Sequence, residues 1–253
     1  MSLRVSSADR ARAVALGLAC HLAFGVAIAW MIASLHEGMR FGLGRLTGSA
    51  AWLANSVLAL SFPVVHSLLL TPRGQRALDR VSPGGSPDLR CTTYALVASL
   101  HLGAVFALWS PAGAAVWRAT GAARVASDVA YGASWLLLGK AMLDAGLGVQ
   151  TGWLGWSAVA RGHRPRFAPF PTHGLFRFTR QPVYVAFACT LWTAPIVTAD
   201  RLLLATLWTA YCVVGPLHKE RRLLARERER YLAYQRLVPY WLPRLARRAG
   251  GVA

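Results

Sequence analysis

The sequence predicts an all-α integral membrane protein with five to six transmembrane helices, a C-terminal helical hairpin and a cytoplasmic amphipathic helix. Three observations predict it. Of 253 residues, 55% are hydrophobic and only 15% charged, with a mean hydropathy of +0.38; a soluble domain carries about 25% charged residues. Apolar runs near the length that crosses a bilayer core as a helix, about 20 residues, recur along the chain. The basic residues, finally, cluster in alternate connecting segments. This composition excludes a disordered tail, a collagen-like fibre and a disulfide-stapled secreted domain, and argues against an ordinary cytosolic enzyme.

The first run, Ala13 to Leu35, follows a polar stretch holding Arg4, Arg10 and Arg12. It is too long for the core of a signal peptide, and no small-residue cleavage site precedes Trp30 and Met31, so it reads as a retained span. The second, Ala50 to Leu70, contains Pro63, His66 and Ser67; the third, Thr92 to Trp109, stops at Ser110-Pro111. These three form an N-terminal unit over 1–111. The fourth, Val125 to Leu147, carries Lys140 and Asp144 one helical turn apart. Two short runs follow, Val183 to Val197 and Leu202 to Leu217, of 15 and 16 residues. Thr198-Ala199-Asp200-Arg201 joins them, which predicts a tight helical hairpin with about 22–24 Å of rise per arm. The depth of that hairpin decides between five and six crossings. The last segment, KERRLLARERERYLAYQRL, predicts a charged helix over 218–238 lying on the inner surface and ended by Val238-Pro239.

The net charge of +18 would suggest nucleic acid on a soluble chain. Here its distribution speaks of topology. With the N-terminus inside, 22 of the 28 Lys and Arg fall in cytoplasmic segments, five outside, and Lys140 within a span. Such a bias predicts both termini in the cytoplasm.

Nucleotide-loop, zinc-protease and serine-hydrolase motifs are missing. The four cysteines show no ligand spacing and read as small buried hydrophobes, so no metal site is expected. Polar residues at membrane depth are the candidates for chemistry: His21, His66, His101, Lys140 and Asp144. His21 and His101 lack carboxylate partners and read as satisfied interior histidines; Lys140 and Asp144 are spaced to neutralise one another. The loop Gly162 to Pro182 is too rich in aromatic residues, Pro and Arg to be a plain connector. Arg180 precedes the hairpin and Glu220 follows it, so the out-and-back path brings them together. Such a pair suits a zwitterionic ligand, or equally a salt bridge clamping the hairpin base.

Four blocks carry a family resemblance: HGLFRFTRQPVYVAF, LWTAPIVTADRLLLA, TAYCVVGPLHKERRL and ERYLAYQRLVPYWLP. In this order they resemble the isoprenylcysteine carboxyl methyltransferase and phospholipid methyltransferase superfamily, integral membrane enzymes that use S-adenosylmethionine. Its signature is a G-x-Y/F-x-x-x-R-H-P-x-Y loop, a hydrophobic hairpin, E-E-R-x-L, and Y-x-x-Y-x-x-x-V-P, all found here between Gly174 and Pro243. The earlier half, through NSVLALSFPVVHSLLLTPRGQRAL, TTYALVASLHLGAVFALWSP and LDAGLGVQTGWLGW, is similar to the bacterial methanethiol S-methyltransferase branch. A Q-H-S motif of that branch corresponds to Val65-His66-Ser67, and an F-G-L-R-Q-like segment precedes the cofactor loop.

The resemblance implies methyl transfer from S-adenosyl-L-methionine to a small thiol such as methanethiol, in the bacterial inner membrane, with membrane lipid but no nucleic acid as partner. It implies a methyltransferase-like region over 112–253: helix 4, a cofactor loop at 148–182, the hairpin at 183–217 and the C-terminal helix at 218–238. Arg180, Glu220 and His66 are the implied catalytic residues. Gln150, His173, Gly174, Gln181, Pro182 and Tyr184 are the implied cofactor-binding ones, and Phe167, Phe170 and Phe176 are expected on the adenine. Two positions depart from the signature: Gln181 stands where the family has His, and Lys219 where it has the first Glu. Two other readings fit the scaffold, a methyltransferase for a phospholipid amine or prenylcysteine carboxylate, and a non-catalytic membrane protein of the kind associated with bacterial denitrification.

Overall fold

A computed structural model describes residues 6–242. Arg4, Arg244, Arg247 and Arg248 of the topology argument, and Pro243 at the end of the last motif, lie outside the described residues.

The described chain is helical almost throughout. Helix α1 (Ser7–His36) starts where the Ser6 hydroxyl accepts from Asp9 N–H at 3.1 Å, with the Asp9 carboxylate in the positive first turn. Its 30 residues rise about 45 Å, more than a bilayer core. Helix α2 (Gly48–Leu69) continues past the buried Pro63. A short basic helix, α3 (Pro72–Val81), follows and leads by two 3₁₀ turns into α4 (Arg90–Ala107). Three stretches are long and apolar enough to cross a membrane: Ser7–His36, Gly48–Leu69 and Pro87–Ala107. Their outward faces carry large bare side chains, such as Leu22 at 71% and Leu53 at 69% exposure. Water would penalise such faces and lipid would not. The protein is an all-α membrane protein.

Beyond α4 the structure departs from the expected pattern. Strand β1 (Ala115–Arg118) precedes α5 (Gly121–Asp144), which carries Arg124, Asp128, Lys140 and Asp144. Those four charges keep α5 below the hydropathy of the first three spans. Within the expected cofactor loop lie two helices, α6 (Leu147–Gln150) and α7 (Trp153–Ala160), so only its second half is extended. Gly17 lets α7 dock on α1, because a Cβ there would strike the Trp156 indole.

The hairpin is also drawn differently. Helix α8 (Pro182–Trp192) stops early, and Ile196–Thr198 forms strand β2, antiparallel to β1. Pro195 and the β-branched run Ile196-Val197-Thr198 favour extended backbone over another helical turn. Helix α9 (Ala199–Arg226) then takes in Ala199, Asp200 and Arg201, expected in the turn. The Thr198 hydroxyl caps it from Arg201 N–H at 3.1 Å. α9 also absorbs the first half of the expected charged helix. The break falls at Glu227 (φ −139°, ψ 54°), after which α10 (Arg228–Leu237) ends at Val238 as predicted.

The main core lies towards the β1–β2 end, where Met31, Leu35, Phe106, Trp109, Leu204 and Trp208 pack together. Asp200 is buried there and accepts from Trp109 Nε1 (3.1 Å), Asn55 Nδ2 (3.2 Å), Ala112 N (3.0 Å) and Gly113 N (2.5 Å). Arg201, equally buried, donates to the carbonyls of Leu191, Ala194 and Ile196. It is therefore an interior tie rather than an exposed loop cation, which leaves one fewer positive charge on the outer side of the topology argument. His21 and His101 are satisfied as expected, by Trp156 Nε1 (3.0 Å) and the Ser61 hydroxyl (2.9 Å). The four cysteines are free, and no His/Cys/Asp/Glu group fit to hold a metal occurs among the described residues.

Candidate active site

At the opposite end of α9 the separated sequence blocks become one unit. Gly174, with φ at +56°, opens a 3₁₀ turn over Gly174–Arg177 against Asp144, whose carboxylate leaves no room for a Cβ. Asp144 accepts from Leu175 N–H at 2.8 Å and pairs with Lys140, which is the mutual neutralisation expected. His173, just before, is exposed. From the tail, the Tyr234 hydroxyl donates to Phe176 O (2.7 Å), while Thr179 Oγ1 donates to Trp241 O (2.9 Å).

Arg180 closes this unit. Its Nε and Nη2 reach Glu220 Oε1 (2.8 Å) and Oε2 (3.3 Å), a two-pronged grip. Nη1 donates to the carbonyls of Val238 (2.8 Å) and Gln235 (3.3 Å), and the Arg180 N–H donates to Pro239 O (2.9 Å). The Glu220 carboxylate also accepts from Gln235 Nε2 (2.7 Å) and Gln181 Nε2 (2.9 Å). Arg180 and Glu220 thus satisfy each other, as the clamp reading predicted. Burial pushes the Glu220 carboxyl up, but the hydrogen bond and charge of Arg180 outweigh it and hold it below the usual carboxylate value.

The two signature departures touch. Lys219 Nζ donates to Gln181 Oε1 at 3.3 Å, so the Lys–Gln–Glu220 chain runs through both. Among the described residues this is the amine's single hydrogen-bond acceptor, and no carboxylate lies within salt-bridge distance of it. The rings of Phe176 and Tyr184 flank it, with centroids at 5.7 and 6.0 Å. Burial pulls the amine down to about 8, Glu220 opposing and Arg222 adding to the shift.

From Tyr184 the site continues towards α2 and α4. The Tyr184 ring meets Tyr211 at 6.4 Å; the Tyr211 hydroxyl lies 3.2 Å from the Ser67 hydroxyl. His66, one residue earlier, is held by the Tyr94 hydroxyl, within 2.9 Å of both ring nitrogens. Arg222, on the exposed side of α9, exerts its charge on His66, Tyr94, Tyr184 and Lys219 alike. These half-buried side chains form a polar, aromatic cluster between α2/α4 and α8/α9.

Of the residues marked in the sequence, the structure brings together Arg180, Glu220, Gln181, Pro182 and Tyr184, and links His66 to them by way of Ser67 and Tyr211. Gly174 belongs to the adjoining turn with His173. Gln150 does not join them; it is exposed at the end of α6. Phe176 is buried beside Lys219, Phe167 is exposed, and Phe170 is spent on α10, packed against Tyr231 and Tyr234 at 5.1 and 5.6 Å. Tyr94, Tyr211 and Arg222 were missed. Nothing in their spacing separates them from lipid-facing aromatics or from the general basic charge of the tail.

No family model matches the chain, and no solved structure does. The chain is 31% identical to methanethiol S-methyltransferase 2 of Bradyrhizobium diazoefficiens over 218 residues, covering 77% of this chain and 74% of that protein. It is 31% identical to the methanethiol S-methyltransferase of Mycobacterium tuberculosis over 198 residues, 76% of this chain and 78% of that one. A methanethiol S-methyltransferase of Pseudomonas sp. strain GM41(2012) is 27% identical over 253 residues, 90% of this chain and 88% of its own.

Proposed function

The chain belongs to the methanethiol S-methyltransferase family, and from that premise we propose that it transfers a methyl group from S-adenosyl-L-methionine to methanethiol, releasing dimethyl sulfide. The observation that carries the reading is the convergence of three of the four signature blocks on Arg180, Gln181, Lys219 and Glu220, in a chain 31% identical to enzymes of that name.

The cluster suits the donor's chemistry. S-adenosylmethionine pairs a zwitterionic amino-acid end with an apolar, stacking purine; the partly exposed Lys219 amine and Tyr184 hydroxyl stand beside the Tyr211 ring, with Gln181 and Phe176 buried behind them. When bound, the donor supplies an electrophilic methyl group on a cationic sulfur. The protein aligns the thiol with that methyl and excludes water, which is where rate is gained in a displacement needing no metal. In this reading Arg180 and Glu220 fix the loop, tail and α9 in register. Gln181, Pro182 and Tyr184 then face the donor from the start of α8, with His173 and Gly174 at the mouth. His66 sits with Tyr94 on the acceptor side.

We read α5 and the α8–α9 hairpin, with α9 up to Leu217, as the further membrane-embedded segments, and both termini as cytoplasmic in a bacterial inner membrane. The site then lies at the inner face, where donor from the cytoplasm reaches it. The test is headspace chromatography of the detergent-purified protein supplied with methanethiol and S-adenosylmethionine. Dimethyl sulfide rising with enzyme concentration is the expected result. A folded protein yielding none with methanethiol, yet methylating a phospholipid amine or nothing at all, overturns the assignment.

A further inference from the structure

Besides its tyrosines, the cluster holds three groups able to exchange a proton, and two are committed. Glu220 is bound by Arg180, Gln181 and Gln235. His66 is held by the Tyr94 hydroxyl. Lys219 differs: its amine spends one hydrogen bond on a neutral amide oxygen, has no carboxylate within salt-bridge distance among the described residues, and stands between two aromatic rings. An ammonium so placed lacks a counter-ion, and an amine so placed has a lone pair for a proton. Either form is completed by the matching state of a thiol.

We propose that Lys219 is the catalytic base for the acceptor, its neutral amine taking the thiol proton and the resulting ammonium holding the thiolate in place. This deepens the methanethiol reading and rests on it. In the first step the S–H bond breaks and an N–H bond forms on Lys219, leaving the electron pair on sulfur. The thiolate is the competent nucleophile. It makes the new C–S bond with that pair while the methyl group's old bond to the sulfonium donor breaks, its electrons staying with the donor sulfur. Lys219 then releases the proton to solvent.

Desolvation supports the assignment, since a half-buried lysine with no ion-pair partner is drawn towards its neutral form; burial draws this one to about 8. The charges that bear on it are Glu220 and Arg222 of α9, with Arg180 before α8 paired to Glu220. Tyr184 of α8, Tyr211 of α9, and His66 and Tyr94 of α2 and α4 are the other titratable groups of the cluster. Gln181 aims its carbonyl oxygen at the amine, so the Gln and Lys that depart from the family signature act as one device.

The chain has two lysines, Lys140 and Lys219, which makes the test direct. The pH dependence of kcat/KM for methanethiol is measured for wild type, Lys219→Met and Lys219→Arg. In parallel, trinitrobenzenesulfonate labelling of each lysine is followed by mass spectrometry against pH, with and without methanethiol. Wild-type kcat/KM is expected to rise with pH through a midpoint near 8 and to level off above it. Lys219→Met should be down about 10²–10³-fold at pH 7, the range of general-base catalysis, with the loss shrinking as the thiol ionises by itself at high pH. Lys219→Arg, which cannot accept a proton, should not restore the neutral-pH rate. Lys219 should label with a midpoint near 8 and be shielded by methanethiol, while Lys140 is not.

Three results overturn the inference. One is a Lys219→Met pH profile parallel to wild type. Another is a Lys219 labelling midpoint no different from that of Lys140. The third is a variant whose only defect is a weaker affinity for S-adenosylmethionine, which would make Lys219 a donor ligand. A wild type that methylates no thiol at any pH overturns the methanethiol reading itself.

Discussion

The two ends of α9 treat buried charge in opposite ways. At the Asp200 end the buried charges are spent: one carboxylate takes four donors, and one guanidinium donates to three carbonyls. At the Glu220 end the Arg180 pair is equally saturated, but the next residue, Lys219, is not. Fully satisfied networks specify a fold. A half-satisfied cation between aromatic rings is costly unless something else completes it. The comparison teaches which end builds the scaffold and which does chemistry.

The comparison breaks most visibly at Asp200. Asp200→Ala orphans four donors and is expected to cost about 3–5 kcal/mol, read as a large fall in the thermal midpoint and in the yield of folded protein. A variant that unfolds no more easily would remove the distinction between the ends. Glu220→Gln keeps the shape but weakens the charged hydrogen bonds from Arg180, at about 1.5–3 kcal/mol. It should stay folded in the same assay and lose methyl transfer.

Acid sharpens the contrast. The Glu220 carboxyl titrates below its unfolded value, so its contribution to stability is present above that value and is lost as pH falls through the folded one. The thermal midpoint of wild type should therefore drop on acidification below the ordinary glutamate range, and that of Glu220→Gln should drop less. The smallest effect belongs to His101→Ala, which removes one hydrogen bond to Ser61, about 1 kcal/mol, and should leave turnover unchanged.

The first three helices were legible because long apolar runs set their own limits. The ends of α1, α2 and α4 fall within a few residues of the apolar boundaries, or in α1's case at a capped serine beyond them. The hairpin was less legible. Hydropathy treats Thr193 to Val197 as apolar run, whereas Pro195 and the pairing of Ile196 and Val197 with β1 make it a strand. The merging of α9 with the charged helix escaped for a related reason: composition changes at Lys219, but good helix formers lie on both sides, and the backbone turns only at Glu227.

At the site, the Arg180–Glu220 contact followed from chain path alone. The contact between Gln181 and Lys219 did not, since each was seen only as a departure from a motif. The partners that complete the cluster, Tyr94 and Tyr211, come from helices whose rotation a single sequence does not fix.

The central claim is that the Glu220 end holds the methyl donor. Titration calorimetry of S-adenosylmethionine, with S-adenosylhomocysteine as competitor, tests it on wild type and Glu220→Gln. Competable binding to wild type, lost in the folded variant, is the predicted result. A folded wild type that binds neither compound, or a variant that binds both as well as wild type does, contradicts it.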